Sequence, residues 1–181
     1  MVRFRYLNTN TRLAQRNEAE EVFEEWAPTK DIAFVRYGWR TPPFDYFKFI
    51  PSVLRKSSDY FCECGSIKFA HIKNSRNNRS RHFFLESKGF GRENCVRIKE
   101  EDLAGLEQWQ KFGKLPVVFF LWNQHKSECS IGLTLDMVQE MKKKAEQDHY
   151  HDGPKDKLYY KIPASWVDGW EPFEYTAPLA A

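Results

Sequence analysis

Apolar residues recur with helical spacing near the start of the chain. Leu13, Ala19, Val22, Phe23 and Trp26 fall on one side and predict a helix from about Thr11 to Trp26, closed by Pro28. The run DIAFVRYGW then reads as a strand, and the proline-rich TPPFDYFKFIP as an irregular connection. Three strand-like runs follow: SVLRKSSDYFCECG with a turn at Gly65-Ser66, IKFAHIK, and RHFFLESKG, the last two joined by the polar NSRNNRS as a hairpin. Helical spacing returns from Lys99 to Phe112 through Leu103, Leu106 and Trp109, with Gly113 as the stop. PVVFFLW is short and wholly apolar, as a strand buried on both faces requires. SIGLT predicts a further strand, and a Lys- and Glu-rich helix is expected from Leu135 to about Gln147. From about 153 to 181 the chain is aromatic but interrupted by prolines, which predicts irregular packing.

That order describes an α/β protein with a central mixed sheet flanked by helices. A chain of 181 residues fits one domain, 1–181, with the predicted core at about 11–125. Its 41% hydrophobic content, interleaved with charge, excludes a disordered chain. The longest apolar run, Pro116 to Trp122, is too short to cross a bilayer, and the opening residues carry no signal-like apolar stretch. No membrane partner is expected, and an intracellular, cytoplasmic location is the default. Cys62 and Cys64 alternate along a strand while Cys95 and Cys129 stand alone, a spacing that favours reduced structural thiols over zinc or disulfides.

A net charge of +3 says little about partners, but its distribution says more. Lys68, Lys73, Arg76, Arg79 and Arg81 share a segment with no acid, whereas acids gather at Glu18 to Glu25 and Glu100 to Asp102. The basic segment fits a solvated loop or a grip on phosphate equally well.

FFLESKG is the one stretch that invites chemistry. An acid-x-lysine triplet carries no information alone: composition provides about two by chance, and the chain has two, Glu86-Ser87-Lys88 and Glu140-Met141-Lys142. Their settings differ. On a strand, Glu86 and Lys88 share one face and Ser87 takes the other, whereas Glu140 and Lys142 diverge on a helix. Asp59, on the run before the basic hairpin, is the natural companion for Glu86. Two converging carboxylates repel unless a cation lies between them, and magnesium accepts one or two carboxylates with water and phosphate oxygens.

Asp59 on one strand, a hairpin, FFLESKG, a helix and then PVVFFLW together resemble the PD-(D/E)xK nuclease superfamily, the restriction-endonuclease-like fold. The resemblance covers about residues 11–125 in element order. It implies that Asp59 and Glu86 hold Mg2+, with Mn2+ able to substitute, that Lys88 is the catalytic lysine, and that Ser87 lends its backbone carbonyl to the metal. It also implies a further acid from the first helix, with Glu20 favoured over Glu21 and Glu24. Ser58 stands where the motif has its proline, which leaves Glu63 and Asp45 as alternatives to Asp59. The expected activity is endonucleolytic hydrolysis of DNA, with Lys73, Arg76, Arg79 and Arg81 on the backbone and a homodimer as a possible assembly.

Other readings compete. The same fold could bind nucleic acid without catalysis, whereas a phosphotransferase lacks its GxxxxGK[ST] loop. His149-Tyr150-His151-Asp152 has no array to complete a metal site and reads as a polar loop. Trp39, Trp122, Trp166 and Trp170 suit core anchoring or base stacking, and Lys99 or Gln108 would be the helix residues to face the site.

Overall fold

A computed structural model describes residues 9–36, 58–64, 82–151 and 156–176. The first helix, α1, spans Thr9–Thr29, so Pro28 sits within its last turn rather than beyond it. Strand β1, Ile32–Arg36, pairs antiparallel with β2, Tyr60–Cys64, which pairs antiparallel with β3, His82–Phe90. Strand β4, Cys95–Lys99, leads into α2, Glu100–Gly113, and the chain returns as β5, Val117–Asn123, parallel to β3. Strand β6, Glu128–Thr134, lies antiparallel to β5 and precedes α3, Leu135–Met141. The chain closes with β7 (Glu146–His151), β8 (Asp156–Pro163), a 3-10 turn at Ala164–Trp166 and the short β9 (Glu171–Pro172). The fold is α/β: a mixed six-stranded sheet in the order β1-β2-β3-β5-β6-β9, and an antiparallel sheet in the order β4-β8-β7.

The main sheet divides two cores. On one side α1 places Ala19, Val22, Phe23 and Trp26 against Tyr60, Leu85, Phe120 and Trp122. On the other, Leu103 and Leu106 of α2 and Val138 of α3 pack with Phe84, Phe119 and Leu121, and the second sheet adds Ile98, Tyr160 and Ile162. Every residue of β5 is buried, as its unbroken apolar run requires at the centre of a covered sheet. No helix among the described residues is long and apolar enough to cross a membrane.

Three local expectations are corrected. The helix after Leu135 ends at Met141, and Glu146–His151 is strand β7 instead. Lys142–Lys144 offer no apolar face to bury, while Glu146 and Asp148 gain cross-strand partners on β8, Lys161 lying 2.8 Å from Glu146. The C-terminal segment is not irregular throughout, because LYYKIP alternates and buries Tyr160 and Ile162 in the eight-residue β8. Strand β4 is an element the pattern did not announce; its Val96 and Ile98 alternate inward over only five residues. The core therefore continues well past residue 125. IKFAHIK and the NSRNNRS connection lie outside the described residues.

Two glycines are needed for close approach. Gly113 is still helical and the left-handed turn falls on Lys114 at φ 53°; a Cβ on Gly113 would stand 2.5 Å from the Phe84 ring. A Cβ on Gly132 would lie 2.1 Å from the carbonyl oxygen of Asp168, whose segment is held against β6 by Ser130 Oγ at 2.7 Å. Backbone cannot yield as a flexible side chain can, so Gly132→Ala should cost about 1–3 kcal/mol, read as a lower urea midpoint. An unchanged midpoint would show that the C-terminal strap does not press on β6.

Burial also couples the core to pH. It raises the Cys62 thiol and, with Glu171 nearby, pushes Cys129 up to about 12. Above pH ~8.5 the unfolded chain releases thiol protons that the folded chain keeps. Stability from this source is complete below that pH and declines as pH rises toward the folded values, by ~1.4 kcal/mol per pH unit for each thiol. Thermal midpoints should fall from pH 8.5 to 10, and Cys129→Ala should flatten the decline; the same slope in that variant would assign the effect elsewhere.

Candidate functional site

The middle of β3, where its ladder with β2 ends, gathers the charged residues that the sequence singles out. Glu86 and Lys88 lie opposite Phe119 and Leu121 of β5, on the side covered by α2, whereas Ser87 lies opposite Phe120 on the α1 side. Alternation therefore does what the triplet requires: Lys88 Nζ stands 2.6 Å from Glu86 Oε1. Glu86 is 1% exposed, so its charge depends on that lysine and on the groups around it.

Asp59 joins from the start of β2. Its backbone N–H donates to Leu85 O at 2.9 Å, and its Oδ2 accepts the Ser87 N–H at 2.8 Å. The carboxylate thus ties the two strands together where the β2–β3 ladder ends, and stands in for a backbone acceptor. Ser87 takes part through its backbone, here its N–H; its buried hydroxyl makes no hydrogen bond.

Asp102, which sequence reasoning missed, completes the arrangement from the first turn of α2. Its Oδ2 lies 3.4 Å from Lys88 Nζ, so the ammonium has a second carboxylate besides Glu86. Burial works against the Lys88 charge, but Glu86, Asp102 and Asp59 outweigh it and hold the ammonium above the ordinary lysine range. Lys88 is consequently a fixed cation at neutral pH. The acidic cluster Glu100–Asp102 was visible, but which of its three members turns toward β3 depends on how β4 delivers the helix.

The α1 acids have other partners. Glu20 is buried on the α1 side and paired with Arg36 of β1. Glu24 accepts from the same arginine and from the Tyr60 hydroxyl, each at 2.8 Å. Glu21 accepts from the Tyr175 hydroxyl at 2.7 Å, and Glu18 from Trp122 Nε1 at 2.8 Å. These acids fasten α1 to the sheet and, through Glu21, to the C-terminal segment, and Glu20 is not gathered with Asp59 and Glu86. Glu63 is exposed beside His82 at 3.6 Å, away from Asp59. Trp122 is buried and Trp170 packs edge-on against Phe90, whereas Trp166 is partly exposed. His149 is exposed on β7. Asp45, Trp39, Asp152 and the whole basic segment with Lys73, Arg76, Arg79 and Arg81 lie outside the described residues.

Among the described residues no group of three or more His, Cys, Asp and Glu side chains is placed to enclose an ion. What the β2–β3 junction offers is two hard carboxylates from two strands beside a lysine. That donor set suits magnesium, whose remaining positions are filled by water and phosphate, and does not suit a closed protein cage. No protein-family model matches the chain, and neither a curated protein nor a solved structure matches it.

Proposed function

We propose that this protein is a magnesium-dependent nuclease of the PD-(D/E)xK type that hydrolyses phosphodiester bonds in DNA. The observation that carries the reading lies where the β2–β3 ladder ends, in the middle of β3: a Glu86–Lys88 pair at 2.6 Å with the Asp59 carboxylate bonded to the intervening Ser87 N–H at 2.8 Å. Asp59 and Glu86 would hold the ion. When bound, magnesium supplies a water of lowered pKa and neutralises charge at phosphorus.

The chain's own groups do the remainder. Lys88, kept charged by its three acidic neighbours, donates hydrogen bonds to a phosphoryl oxygen or to the attacking water. Because it keeps its proton at neutral pH, it orients and neutralises rather than acting as the general base. Asp102 gives the ammonium a second carboxylate besides Glu86, and the Ser87 N–H fixes the Asp59 carboxylate beside this pair.

The test is cleavage of plasmid DNA by the purified chain in Mg2+ or Mn2+ against EDTA, together with a manganese-soaked crystal. Metal-dependent nicking with manganese between Asp59 and Glu86 is expected. Salt-sensitive DNA binding without cleavage in either metal would leave a catalytically silent nucleic-acid-binding protein in its place.

A further inference from the structure

The outward face of the second sheet is unevenly neutralised. At one end Arg97 of β4 lies 2.7 Å from Glu93 and 3.7 Å from Asp148, and Lys161 of β8 lies 2.8 Å from Glu146 and 3.6 Å from Asp148. Two residues along β4, at the junction with α2, Lys99 makes no ion pair among the described residues. Its ammonium stands 5.8 Å over the ring of its cross-strand partner Tyr159. Lys99 is also within electrostatic reach of Lys88 and Asp102 in the candidate site. Burial lowers Lys99 from the usual lysine value; Asp102 and Glu101 pull it up, and Lys157 and Lys88 push it further down.

A half-buried cation over an aromatic face, within reach of the Asp102 and Glu101 charges but paired with neither, keeps hydrogen-bonding directions for an anion that arrives from outside. Arg97 and Lys161 on the same face already have their counter-charges. We propose that Lys99 binds a phosphodiester group of the DNA strand next to the one at Lys88, with Tyr159 as the apolar wall of that subsite. The assignment rests on the nuclease reading and extends its surface onto β4 and β8, beyond the basic segment. A cation over an aromatic ring retains its outward hydrogen-bonding directions, so contact with phosphate does not require the ring contact to be given up.

The test measures binding apart from chemistry. Affinity for a short fluorescent DNA duplex is followed by anisotropy in EDTA across a series of salt concentrations, and cleavage is assayed separately in Mg2+. Each phosphate contact contributes ~0.9 to the slope of log affinity against log salt. Lys99→Gln should reduce the slope by about one contact, Lys99→Arg should preserve it, and Lys161→Gln should leave it unchanged. Circular dichroism and thermal midpoints confirm that each variant is folded, and Lys99→Arg with its charge kept reports on any loss from packing. If Lys99→Gln retains the wild-type slope while the wild type binds and cleaves, the Lys99 subsite is overturned and the nuclease reading stands. Neither binding nor cleavage by the wild type removes both.

Discussion

Glu86→Gln protein is expected to keep its fold and to lose metal-dependent DNA cleavage by about three orders of magnitude, equivalent to ~4 kcal/mol of transition-state stabilisation. The amide preserves the shape of a side chain that is only 1% exposed. It also leaves Lys88 with Asp102 at 3.4 Å, so the cation is not stranded. What disappears is one of the two carboxylates through which an ion would be held, and with it the proposed preference for a divalent cation. Initial rates on supercoiled plasmid, with calorimetric titration of Mg2+, check both parts. A rate within tenfold of wild type would remove Glu86 from the chemistry.

Lys88→Met should have a different signature. Glu86, Asp59 and Asp102 then face one another without the ammonium, two of them almost fully buried. Removing one partner from such a cluster costs about 3–5 kcal/mol, so this variant should be inactive and markedly less stable at pH 7. The deficit has an electrostatic origin and should shrink as pH falls, when protonation relieves the repulsion. Magnesium should also restore stability to the variant more than to wild type, since binding to the folded state alone raises its stability. Urea unfolding at pH 7 and pH 5, with and without MgCl2, separates these effects. Equal losses at both pH values would mean that packing, not charge, carries the role of Lys88.

The wild-type linkage runs the other way. Lys88 is held above the unfolded value of ~10.4, so its stabilising contribution is complete below pH ~10 and is lost only as pH rises through the folded value. Between pH 6 and 9 any break in a pH–rate profile must come from another group. This agrees with its assignment as a charge donor rather than a base.

Much of this site follows from local rules, and the rest does not. The two-residue repeat of a strand is enough to put Glu86 and Lys88 on one face and Ser87 on the other, and an unbroken PVVFFLW is enough to place β5 between neighbours. Leu103 and Leu106 likewise orient α2 by their own spacing. Those features depend on residues a few positions apart. The approach of Asp59 to the Ser87 N–H spans 28 positions, and that of Asp102 to Lys88 requires β4 to leave one sheet and turn α2 back over β3. Glu20 shows the converse: its helix was legible, but its partner was decided by Arg36 arriving on the neighbouring β1. Strand β7 forms for the same reason, because EQDHYH has no apolar alternation of its own and pairing with β8 supplies what local propensity lacks. The sequence by itself determined which side chains each element presents. Only the tertiary structure decided which of them meet, since the energy of bringing charges together belongs to no single element.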